Sequence, residues 1–121
     1  MDMGVATILT RSAKNKGKRL QKEVAAMVKK HIESQTGLTL DPRDVQSNMM
    51  SEAGVDVKLS PLAEKYFPYS IECKNVESIN IWASLKQAET NCLPNTKPLL
   101  AFRRNNSPTY IVLRAEDFFQ K

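Results

Sequence analysis

The sequence predicts an α/β domain, a small mixed β-sheet flanked by helices, and three observations lead there. Apolar residues recur at helical spacing over residues 16–34. After residue 54, short strand-like and helical runs alternate, as a packed sheet with covering helices requires. Finally, 121 residues suffice for one hydrophobic core but not for two independent ones. Residues 1–121 therefore read as a single domain, opened by a flexible basic segment at about 1–15.

In the first helix, from Lys16 to Ser34, Leu20, Val24, Met27, Val28 and Ile32 form one stripe, with Lys18, Lys22 and Lys29 on the opposite side. Gly37 and Asp41-Pro42 end that unit, and residues 35–53 read as a loop with a short helical turn at 42–46. Gly54 to Lys58 reads as a strand. Ser60-Pro61 combines an N-cap with proline at the first helical position, and opens a short helix to about Tyr66 that Pro68 stops. Tyr69 to Lys74 is a second strand. Ser78 or Asn80 caps the next helix, in which Ile81, Leu85, Ala88 and Cys92 make the buried stripe and Pro94 marks the end. Leu99 to Arg103 and Thr109 to Leu113 are strands joined by the turn-rich Arg104-Asn105-Asn106-Ser107-Pro108. A terminal helix from Ala115 is expected to pack Phe118 or Phe119. The order is thus helix, strand, short helix, strand, helix, strand, strand, helix, without an internal repeat.

Composition narrows the function. With 41% hydrophobic and 26% charged residues there is no long uncharged apolar run to span a bilayer. The N-terminal MDMGVATILTRSAK lacks the basic start and extended apolar stretch of a signal peptide, so a cytoplasmic location and no membrane partner are expected. Cys73 and Cys92 belong to no metal-ligand pattern and read as reduced thiols. One histidine, His31, excludes histidine triads and multi-histidine metal sites. Hydrolytic chemistry would have to use carboxylates, lysine and a hard metal. The net charge of +5 lies entirely in residues 1–35, where eight cationic residues face three acidic ones, and the remaining ten of each sign cancel. Lys14, Lys16, Lys18, Arg19 and Lys22 form the centre of that cluster, which suits a polyanion such as DNA or is simply a solvated basic face.

The segment Tyr69-Ser70-Ile71-Glu72-Cys73-Lys74 carries the chemistry. Alternation along a strand puts Glu72 and Lys74 on one face, roughly 6.6 Å apart along the chain, while Ile71 and Cys73 point into the core. Asp56 lies on the preceding strand, 16 residues before Glu72, and adjacent strands would bring the two carboxylates together. Two such charges side by side call for a cation between them, and Mg²⁺ fits because it binds through one or two carboxylates and keeps waters. Taken singly, Glu72 and Lys74 could be an exposed ion pair and Asp56 a turn residue after Gly54.

Together, Gly54-Val55-Asp56-Val57-Lys58-Leu59-Ser60-Pro61 and Phe67-Pro68-Tyr69-Ser70-Ile71-Glu72-Cys73-Lys74-Asn75 resemble the PD-(D/E)xK, or restriction-endonuclease-like, nuclease superfamily. They are most similar to its phage and archaeal-type Holliday junction resolvase-like endonucleases. The resemblance implies a restriction-endonuclease-like core and a metal-dependent DNA endonuclease, with branched or four-way-junction DNA as partner. It implies Mg²⁺ as cofactor, with Mn²⁺ able to substitute, bound by Asp56, Glu72 and the backbone carbonyl of Cys73. Lys74 would position the attacking water or stabilise developing negative charge. Glu23 would be a further acidic contributor, or else the intrahelical partner of Arg19 or Lys30. Gln87 matches a glutamine often found on the helix after this strand, and shares a facet with Ser84 and Asn91. A symmetric junction needs two coordinated cuts, so a homodimer is expected. Val55 stands where the superfamily name has proline, and the Gly-x-x-x-Glu spacing of archaeal resolvases would fall from Gly17 on Gln21 rather than Glu23. Two other readings stay open: a nicking or sequence-tolerant phage endonuclease on nonbranched DNA, and a noncatalytic DNA-binding module of the same fold.

Overall fold

The computed structural model describes residues 3–48 and 54–120, and of residues 3–12 the backbone alone. The chain runs α1 (Met3–Thr36), β1 (Val45–Ser47), β2 (Val57–Leu59), α2 (Pro61–Tyr66), β3 (Tyr69–Asn75), α3 (Ile81–Thr90), β4 (Lys97–Arg103), β5 (Tyr110–Val112) and α4 (Ala115–Phe119). Its strands form one five-stranded sheet in the order β1-β2-β3-β4-β5. Strand β4 is parallel to β3, from Tyr69 opposite Lys97 to Asn75 opposite Arg103, and the other neighbours are antiparallel. A parallel pair needs a crossover, which α3 supplies. This is the mixed sheet with flanking helices of a restriction-endonuclease-like core.

Helix α1 covers one face of the sheet. Leu20, Val24, Val28 and Ile32 meet Val45, Val57, Ile71, Cys73, Leu99 and Ala101 in the main core. Leu20 and Ile32 are fully buried, and each contributes about 1.5–3 kcal/mol by leaving water. Because side chains alternate along β3, the burial of Ile71 and Cys73 against α1 sends Glu72 and Lys74 to the other face. On that face Leu100, the parallel partner of Glu72, lines a cavity with Leu85 and Ala88 of α3.

Several expectations change. Helix α1 starts at Met3 rather than Lys16, so the segment expected to be a flexible arm is helical over its described part. Residues 45–47, read as loop and helical turn, pair as β1 with β2; three alternating residues are too few for periodicity to reveal. The strand expected from Gly54 begins at Val57. Met27 is 53% exposed and borders a groove beside Thr109 and Ile111, while the smaller Ala25 takes the buried place. In α3, Ser84 and Ala88 are the buried residues, with Ile81 and Leu85 half-buried, and Cys92, also half-buried, lies beyond the helix end. Phe118 and Phe119 are both exposed, because α4 turns Asp117 inward to accept from Arg114 Nε at 2.8 Å. The Ser60 cap is as expected, its hydroxyl accepting from the Ala63 N–H, and Asn80 rather than Ser78 caps α3. Both cysteines are free. Among the described residues no helix is long and apolar enough to cross a membrane.

Candidate active site

The site forms where β2 meets β3. Val57 pairs with Ile71, and just before it the Asp56 N–H donates to the Ile71 carbonyl at 2.9 Å. From the other side, Asn48 N–H donates to the Asp56 carbonyl at 2.8 Å, and Asn48 Nδ2 donates to the Val55 carbonyl at 3.0 Å. The backbone of Asp56 is thus held from two directions. Its side chain turns to β3, where Oδ2 accepts from the Cys73 N–H at 2.7 Å. That bond sets the Asp56 carboxylate against the strand residue lying between Glu72 and Lys74.

Glu72 is only 4% exposed. Lys74 Nζ lies 3.9 Å from Glu72 Oε1, longer than a direct hydrogen bond. Burial, and then the charge of Asp56, push the Glu72 carboxyl up to about 7, with Lys74 and the Asn91 side chain pulling the other way. Burial likewise raises Asp56, against the Cys73 amide and Lys74. The Cys73 thiol is raised by burial and by both carboxylates, which leaves it a protonated packing residue rather than a nucleophile. Two carboxylates therefore feel each other beside one ammonium.

The donor set fits a divalent cation. Glu72 Oε2 is buried without a hydrogen-bond partner, a costly arrangement that a positive ion would relieve. Among the described residues no three His, Cys, Asp or Glu side chains converge as a ligand cluster. Carboxylate and main-chain oxygens side by side are the donors that a hard divalent ion takes.

The other expected residues are distributed more widely. Glu23 is not directed to this pair. Its Oε2 accepts from Arg103 Nη1 at 2.6 Å and from Thr109 Oγ1 at 2.9 Å, which ties α1 to the end of β4 and replaces the expected pairing with Arg19 or Lys30. Gln87 is exposed on α3, whereas Asn91, one turn further on the same facet, is the residue felt by Glu72. Gln21 holds a buried Oε1 without a hydrogen-bond partner. Lys14, Lys18, Arg19 and Lys22 are exposed, and Lys16 is half-buried with its carbonyl accepting from Asn75 Nδ2 at 3.4 Å. Sequence reasoning missed Asn48, whose signal was hidden by reading residues 35–53 as a loop. It gave Asn91 a place only as a companion of Gln87.

A family model described as "Phage putative PDDEXK endonuclease" matches residues 12–121. No curated protein and no solved structure matches the chain.

Proposed function

The chain belongs to this phage PDDEXK endonuclease family, and from that premise we propose that it is a Mg²⁺-dependent endodeoxyribonuclease that cuts branched DNA as a Holliday junction resolvase. The observation that carries the reading is the buried, unpartnered Glu72 Oε2 next to Asp56, with Lys74 3.9 Å from the same carboxylate. A surface ion pair would leave neither carboxyl oxygen buried and unpaired. A noncatalytic DNA-binding module would gain nothing from two carboxylates facing a phosphate.

Asp56, Glu72 and the Cys73 carbonyl would hold Mg²⁺, with Mn²⁺ able to substitute. When bound, the ion supplies charge to the scissile phosphate and acidifies water. The chain's own groups do the rest. The Cys73 amide keeps Asp56 oriented toward the site, and burial on β3 fixes Glu72 in one place. Lys74 brings an ammonium to the position where negative charge grows during in-line attack, or orients the attacking water. Lys14, Lys16, Lys18, Arg19 and Lys22 grip the DNA backbone away from the reacting atoms, and exposed Gln87 contacts it near the site. Glu23 acts at one remove by holding Arg103.

Two symmetric cuts call for a homodimer. Exposed Tyr110 and Ile111 on the edge strand β5, with exposed Phe118 and Phe119 on α4, provide apolar surface that a second copy would cover. The enzyme would act in the cytoplasm of the infected cell. The test is cleavage of an end-labelled four-way junction and of linear duplex, each with and without Mg²⁺. Paired cuts in the junction alone, only with Mg²⁺, are expected. Equal cutting of linear duplex would favour the sequence-tolerant endonuclease, and binding without any cleavage the noncatalytic module.

A further inference from the structure

At the C-terminal ends of the parallel strands β3 and β4 lies a polar cleft of about 410 Å³. Its wall includes Lys16 and Arg19 from α1, Asn75 at the end of β3, Arg103 at the end of β4, and Arg104 and Ser107 from the turn that follows. We infer that this cleft is a second phosphate subsite, which holds a backbone phosphate of the DNA strand flanking the one to be cut. The identity of the polyanion rests on the nuclease reading; the cleft itself rests on its own residues.

Four cationic side chains line the cleft and no acidic one does. Two acids bonded to residues of the cleft are thereby engaged: Glu23 with Arg103 Nη1 and Thr109, and Glu77 Oε2 with the Asn105 N–H at 2.8 Å. A guanidinium has five N–H donors, so Arg103 can keep Glu23 on one nitrogen and still offer others to an anion. The turn is built rather than loose. Arg104 N–H donates to Ser107 Oγ at 3.1 Å, Ser107 N–H donates to the Arg104 carbonyl at 3.2 Å, and Val76 N–H donates to the Arg103 carbonyl at 3.2 Å. The Asn75 bond to the Lys16 carbonyl closes α1 onto the strand end. Ends of parallel strands are where open α/β sheets receive ligands. Asn75 is three strand residues from Glu72, roughly 10 Å at about 3.3 Å each along β3, and the odd spacing turns its side chain to the α1 face, where it bonds the Lys16 carbonyl. A DNA backbone that reaches both the cleft and the proposed catalytic carboxylates would therefore pass over the ends of β3 and β4, with the cleft on the α1 side and the carboxylates on the other.

The test is a salt titration of fluorescent junction DNA binding to the full chain in EDTA, where no metal contributes. Arg19 and Arg104 are exposed, so their replacement leaves the core intact, which a thermal melt verifies. R19A/R104A should flatten the plot of log affinity against log salt by about 1.8, at about 0.9 per lost contact. R19K/R104K should keep most of the wild-type slope. A wild-type slope in R19A/R104A would overturn the subsite. Wild-type cleavage in Mg²⁺ is scored in parallel: a flattened slope supports the cleft even if the wild type cuts no DNA, and an unchanged slope overturns it even if the wild type cuts normally.

Discussion

Glu72 is a carboxyl taken out of water with one oxygen 3.9 Å from Lys74 and the other unpartnered. An acid whose folded pKa is raised from 4.5 to about 7 binds more protons folded than unfolded between those values, so metal-free stability should fall as pH rises through that window. At about 1.4 kcal/mol per pKa unit the loss is at most on the order of 3 kcal/mol, reduced by whatever water reaches the group. Melting in EDTA at pH 5 and pH 8 checks this: the wild type should melt lower at pH 8, and Glu72→Gln should remove most of the difference. Lys74 differs in kind, since the role proposed for its charge lies in the transition state. Lys74→Met should raise the barrier by roughly 2–4 kcal/mol with little change in DNA affinity, read from single-turnover cleavage and binding together. If affinity collapsed while bound DNA was cut normally, Lys74 would be a phosphate anchor. These residues were legible in the sequence because alternation on one strand fixes which side chains share a face. Glu23 was not, because its partner Arg103 is 80 residues away and no local spacing announces it.

The α2 cap, whose chemistry is local, was read correctly, and the short strand β1, made only by pairing, was not. The α2 cap follows from Ser60-Pro61 alone, yet the same hydroxyl also donates to Asp44 Oδ1 at 2.7 Å, linking α2 to the turn before β1. Ser60→Ala should therefore cost about 1–2 kcal/mol, the upper part of the usual range for a lost cap. Denaturant melts measure it, and a change under a few tenths would show that the Asp44 link carries no weight. Strand β1 escaped notice because only its pairing with β2 makes it a strand. With it went Asn48, whose N–H and Nδ2 donate to the Asp56 and Val55 carbonyls. The exposed phenylalanines of α4 reverse an expectation drawn from hydrophobicity, which could not foresee that the buried position would go to Asp117 with Arg114.

At the scale of the whole molecule, the sheet separates two tasks. Its α1 face holds the apolar core and, at the strand ends, the cationic cleft, while its other face carries Glu72 and Lys74. The fold class and, β1 excepted, the element order were readable from 121 residues, as was the sharing of one strand face by Glu72 and Lys74, whereas the cleft draws on three segments far apart in sequence. The homodimer proposed above is tested at the β5 edge: Ile111→Glu, at a 59% exposed position, should shift the chain to monomer in analytical ultracentrifugation without lowering its melting temperature by more than a degree or two. An unchanged mass would remove β5 from the interface. The central claim is that Asp56 and Glu72 together make the metal-dependent cutting centre. It is tested most directly by measuring junction binding and cleavage in Mg²⁺ for the wild type, Asp56→Asn and Glu72→Gln. Each variant should lose cleavage while binding DNA as well as or better than the wild type, since each removes negative charge near a phosphate; wild-type cleavage by either variant would contradict the account.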